Sequence, residues 1–168
     1  VNIMSFCVNF KKYVLPNEYT QYNASEYKHV FFRRDNWYNE VKKTERDLGI
    51  VIPEELKEIY RELGYGFLCA CDKACIDRIM PPMEIGEFYL KQDVYEYNEV
   101  VDCYDLNDGR LVFFEIYSDL FLTVCLTPEK GKYPVYLNDE MIAESLQSFL
   151  ERMDEKNDYY FDFIEDDM

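Results

Sequence analysis

Apolar positions follow strand-like spacing near the start of the chain, helical spacing through its middle, near-continuous runs after residue 110 and helical spacing again near the end. Within a Tyr- and Asn-rich first 35 residues, Met4 to Phe10 and Tyr27 to Phe32 read as strands. Asp35 and Asn36 are both candidate caps. After them Trp37, Val41 and Leu48 fall at intervals of four and seven, which predicts a helix ending at Gly49. The clearest local signal runs from Ile52 to Gly64. Pro53 opens the first turn, Glu54 and Glu55 sit where the helix dipole favours acids, and Gly64 ends the pattern. Leu56, Ile59, Tyr60 and Leu63 make one apolar face, expected to enter the core. Gly66 to Ala70 predicts a short strand, and Pro81-Pro82 opens a short helix over Met83 to Leu90.

From Leu111 to Ile116 and from Leu120 to Leu126 the chain is almost continuously apolar around a Ser118-Asp119 turn, which predicts strands covered on both faces. Pro128 to Gly131 turns the chain. Pro134 to Leu137 is a third strand, with Pro134 placing it on an edge or at a strand entrance. Asp139 is the expected cap of a last helix that buries Ile142, Leu146, Phe149, Leu150 and Met153. Helices, then an antiparallel meander, then a closing helix is the order of an α+β domain. With 168 residues the expectation is a single domain over 1–156, its first 35 residues a loosely assigned extension, followed by an acidic, aromatic tail over 157–168.

Charge divides the chain. Residues 1–83 hold 12 basic and 12 acidic side chains, whereas 84–168 hold 6 basic and 22 acidic, so the second half carries the whole net charge of −16. One acidic cluster runs Asp93, Glu96, Glu99, Asp102, Asp105, Asp108 at spacings of three, and another fills the end of the chain. Such runs serve solubility, or they attract a basic protein. A direct grip on nucleic-acid phosphate or an anionic bilayer is disfavoured. With no secretory leader pattern and no long apolar run, the chain is read as soluble and cytoplasmic, without a membrane partner.

Six cysteines, at 7, 69, 71, 75, 103 and 125, read as free thiols. Cys69, Cys71 and Cys75 lie within seven residues but lack the two-knuckle spacing of a zinc site, so loop or core packing is the expected role and no metal or cofactor is assigned. His29 is the single histidine and has no local cysteine signature beside it. A calcium loop over Asp102 to Glu115 fails because Tyr104 and Leu106 would occupy ligand positions. No phosphate-binding glycine loop or serine elbow is present, and the expectation is that the protein is not an enzyme.

The succession of a helix, Gly49, Ile52-Pro53, a second helix and a glycine stop resembles the SUKH superfamily, as do several later segments. These are Ile79 to Ile85, the Ser118-Asp119 hairpin, Pro134-Val135-Tyr136 and Ala143 to Leu150, so the resemblance covers roughly residues 36–153. The family's Asn-Gly-Gly-like stretch after the second helix is here Gly64-Tyr65-Gly66-Phe67. That superfamily includes yeast cell-wall synthesis regulators of the Smi/Knr type and many bacterial immunity proteins. The resemblance implies a non-enzymatic protein that neutralises a cognate toxin with a basic, nuclease-type surface; the alternative is a regulatory scaffold for an endogenous partner. Negative potential speeds encounter with a basic partner and aromatic anchors slow release. The expected partner-binding residues are therefore Tyr95, Glu96, Tyr97, Glu99, Asp102, Tyr104, Asp105 and Asp108, with Asp158, Tyr159, Tyr160 and Asp162 of the tail. The competing reading is that these aromatics pack the core or dock the tail.

Overall fold

In the computed structural model, which describes residues 5–23, 25–71 and 74–164, eight strands stand in chain order as one sheet. The first two, β1 (Val14–Leu15) and β2 (Val30–Phe32), are parallel. All later neighbours are antiparallel: β3 (Tyr65–Phe67), β4 (Arg78–Ile79), β5 (Arg110–Tyr117), β6 (Leu120–Cys125), β7 (Val135–Leu137) and β8 (Glu140–Ala143). Four α-helices accompany the sheet: α1 (Trp37–Leu48), α2 (Glu54–Glu62), α3 (Pro82–Tyr89) and α4 (Leu146–Glu155). This is the α+β arrangement that the apolar pattern predicts.

The β5–β6 hairpin forms the middle of the core. Leu111, Val112, Phe113 and Phe114 are all fully buried, so both faces of β5 are covered, as the unbroken apolar run requires. Register shifts between Val112 and Phe114 and between Glu115 and Tyr117 let consecutive bulky residues pack without a strict alternation. Leu56, Ile59 and Tyr60 of α2 and Leu146, Phe149, Leu150 and Met153 of α4 complete the interior. α1 ends where Gly49 turns left-handed at φ 67°, its N–H donating to the Glu45 carbonyl.

Gly64 and Gly66 explain the glycine pair after α2. Both have positive φ, +93° and +156°, and a Cβ at Gly64 would collide with the Phe32 carbonyl while one at Gly66 would collide with that of Val30. The two glycines let β3 lie against β2.

Three local expectations are corrected. Met4 of the predicted Met4–Phe10 strand lies outside the described residues, and the remainder leads into a 3-10 helix over Val8–Tyr13. There the Ser5 hydroxyl accepts from the Cys7 N–H at 3.1 Å, and Cys7 and Phe10, three apart, are both buried. Pro53 stands just before α2 in an extended conformation (ψ 139°) instead of inside it. Asp139 does not cap the last helix. It sits in the β7–β8 turn and pairs with Arg110 at 3.1 Å, Ile142 belongs to β8, and α4 is capped by Ser145, whose hydroxyl accepts from the Ser148 N–H at 3.0 Å.

At the β8 end of the sheet, the Ile142 carbonyl accepts from the Arg152 guanidinium at 3.2 Å and the Tyr159 hydroxyl at 3.0 Å.

Candidate functional site

The segment between α3 and β5 winds as three 3-10 turns, Asp93–Tyr95, Glu99–Cys103 and Leu106–Asp108. Three residues complete each turn of such a helix, so Glu99 and Asp102, which share the second turn, lie on one side of it. Asp93, Glu96, Glu99, Asp102, Asp105 and Asp108 are all exposed, and residues 92–109 contain no basic side chain. Asp102 is paired with Lys91 of the preceding turn at 2.7 Å. Asp105 accepts from the Asn107 N–H at 2.9 Å and Asn98 from the Val100 N–H at 3.0 Å, which fix the last two turns locally. Asp105 and Asp108 also rim a groove of about 330 Å³ that contains Arg110 and Asp139.

The aromatics of this segment separate into two kinds. Tyr95 is buried with its ring 5.1 Å from that of Phe88. Tyr104 lies half-buried across β6, its hydroxyl accepting from the Phe121 N–H at 2.9 Å and meeting the Phe121 carbonyl at 3.4 Å. Tyr97 alone of the three stands in solvent, 87% exposed. Val94, absent from the sequence-derived set, is 74% exposed beside it.

Tyr159 and Tyr160, the two tail tyrosines expected at the partner surface, are buried. Tyr159 reaches β8, and Tyr160 donates to Asp77 at 2.5 Å. Their acidic neighbours Asp158 and Asp162 are exposed and both approach Lys156, at 4.0 and 2.9 Å. Glu165 to Met168 lie outside the described residues. Four of the expected anchors, Tyr95, Tyr104, Tyr159 and Tyr160, are thus held in internal packing. The acids around them face water.

Two of the thiols, Cys7 and Cys69, and the histidine are built into the scaffold, whereas Cys71 and Cys103 are exposed. Burial pushes Cys7 and Cys69 up to about 12, which disfavours the thiolate that a nucleophile needs. His29 is fully buried: its Nδ1 accepts from the Cys69 N–H at 2.9 Å, so its proton lies on Nε2, 2.7 Å from Asp154. Among the described residues no group of three or more His, Cys, Asp and Glu side chains is placed to hold a metal ion. No helix among them is long and apolar enough to cross a membrane. Arg78 links β4 to Glu84 of α3 and to Glu115 of β5, 3.1 Å away, an ion-paired strut beneath the start of α3.

An α+β sheet with this helix order and this glycine pair is the setting in which the comparisons fall. Residues 37–155 match the model of the SMI1 / KNR4 family (SUKH-1), and the chain belongs to that family. Over 130 residues the chain is 31% identical to Immunity protein YxxD of Bacillus subtilis (strain 168), an alignment that covers 77% of this chain and 87% of that protein. No solved structure matches the chain.

Proposed function

We propose that this protein is an immunity protein, which binds a toxin protein with a basic, nuclease-type surface and neutralises it by stoichiometric association. Family membership and the relative's name support the immunity role. The observation that carries the choice of partner is the row of six exposed acids between α3 and β5, with no basic residue among them. A nuclease site is cationic because it holds phosphate, so an acidic face meets it with complementary potential and a raised encounter rate. Removing such a toxin's access to its substrate requires occupancy alone, and no residue of this chain has to perform chemistry.

The test is co-expression with the toxic polypeptide encoded beside this chain's gene. Restored growth, together with a one-to-one complex of the purified proteins that weakens as salt rises, is the expected result. No rescue and no complex would overturn the reading. Binding to a housekeeping protein without rescue would favour the scaffold role instead.

A further inference from the structure

Between residues 83 and 97 the chain leaves four large apolar side chains uncovered: Met83 and Leu90 on and just after α3, and Val94 and Tyr97 on the turn that follows. Single exposed apolar residues are ordinary on any surface; four within one short stretch are a local concentration of uncovered apolar area. The turn that presents the outer two is anchored to the core through the residue between them. Tyr95, between them, is buried against Phe88, its N–H donates to the Gln92 carbonyl at 3.0 Å, and its own carbonyl accepts from the Asn98 N–H at 3.2 Å. Val94 and Tyr97 therefore flank a pinned residue, and holding them in place for a partner costs little further entropy. Beside Met83 and Leu90 runs a groove of about 140 Å³ between α1 and α3, where Gly86 faces Thr44. Its volume suits one side chain.

The surroundings of this patch are anionic. Glu40, Asp47 and Glu87 line the groove with one cation, Lys43, which is ion-paired to Asp47. Lys91 beside Leu90 is paired to Asp102, and Asp93, Glu96 and Glu99 stand exposed along the turns. Burial, and then repulsion from Asp93 and Glu84, raises the Glu87 carboxyl above its usual range against a smaller opposing pull from Arg34, so this carboxylate is favoured by an approaching cation. A second copy of this chain would bring the same acids face to face, and phosphate-bearing nucleic acid or an anionic lipid surface would repeat the mismatch. A cationic protein face with an apolar centre matches both properties.

We infer that Met83, Leu90, Val94 and Tyr97, with the groove between α1 and α3, form the docking face for the basic toxin, with Tyr97 as the anchor. The inference rests on the function proposed above and adds where the contact falls. A large, exposed tyrosine on a fixed turn inside an acidic rim has the composition of an interface hot spot.

The probe is the purified toxin that this chain neutralises in the growth assay. Tyr97→Ala is expected to weaken binding about tenfold or more, chiefly through faster release, with the double variant Val94→Ser/Tyr97→Ala weaker still and thermal melting unchanged. Met141→Ser, an exposed position on β8, serves as the control and is expected to bind as the parent chain does. A photo-crosslinking residue at position 97 should capture the toxin, and one at 141 should not; this readout also stands if a substitution harms folding. Parent-level binding by a folded double variant, or capture from 141 and not from 97, would overturn this docking face while leaving the immunity role intact. Failure of the parent chain to bind would overturn both.

Discussion

Tyr160 donates its hydroxyl to Oδ1 of Asp77 at 2.5 Å, joining two buried residues that stand 83 positions apart. Burial first, and then the hydrogen bond to Asp77, raises the phenol well above its ordinary range, so the proton stays with Tyr160 and satisfies the carboxylate. Tyr160→Phe should lower stability by about 1–3 kcal/mol, the cost of leaving a buried acceptor short of a donor. Tyr160→Ala should cost about 3–5 kcal/mol because the ring's volume is lost as well. Urea denaturation gives both values, and an unchanged midpoint for either variant would show that this segment adds nothing to the core.

His29 sets an expected pH dependence. The native state holds it neutral, since burial depresses its pKa below the ordinary 6.5 despite the pull of Asp154, with Lys28 and Lys12 opposing protonation. The unfolded chain takes up a proton near that ordinary value and the native chain does not, so stability is full above about pH 6.5 and is lost as pH falls below it. Against its own burial, hydrogen bonds from His29 and Lys28 keep Asp154 below 3.8, which adds a loss of the same sign only at lower pH. The urea midpoint should therefore fall between pH 7 and about 5.5 for the parent chain. His29→Gln should be less stable at pH 7 and nearly flat over that interval.

The glycines divide into tolerant and intolerant positions. Gly49 has positive φ but nothing within 4 Å of a would-be Cβ, so Gly49→Ala should cost about 1 kcal/mol from backbone strain alone. Gly64→Ala and Gly66→Ala must push against the β2 backbone and should each lose about 4 kcal/mol or more. Thermal melts of the three variants order them. Equal losses at 49 and 64 would contradict the steric account.

Charge removal should act on rate before it acts on stability. In the variant carrying Glu96→Gln, Glu99→Gln, Asp102→Asn and Asp105→Asn, association with the toxin should slow about tenfold at low salt, with convergence to the parent rate as salt is added. The loss of the exposed Lys91–Asp102 pair should cost about 1 kcal/mol or less. Stopped-flow mixing across a salt series measures the first effect and urea denaturation the second; equal association rates at low salt would remove this row of acids from recognition.

The sequence pattern revealed most where one physical signal dominated. Gly49 and the apolar face of α2 located the first helices, and the unbroken run from Leu111 located β5 because a strand covered on both faces has no reason to alternate. β8 was hidden by Asn138-Asp139, which reads as a helix cap and serves as a turn, while the true cap, Ser145, lies six residues beyond Asp139. The acidic row is visible as spacing, but the three short 3-10 turns that carry Asp93, Glu99, Asp102 and Asp108 are each too brief to leave a helical or strand period in the sequence. Within it, position in the sequence does not distinguish Tyr95 from Tyr97. One packs on Phe88 and the other faces water, a difference created by contacts with α3 that no local pattern records. The exposure of Val94 has no local sequence signal for the same reason.

The Ile142 carbonyl, already engaged by Arg152 and Tyr159, is not free to receive a visiting strand at that point of the β8 edge. A visiting strand that tried to extend the sheet beside β8 would have to evict both donors before gaining its own ladder. At this position a partner meets side chains instead of a bare carbonyl, and contacts of that kind can be retuned by substitution one residue at a time.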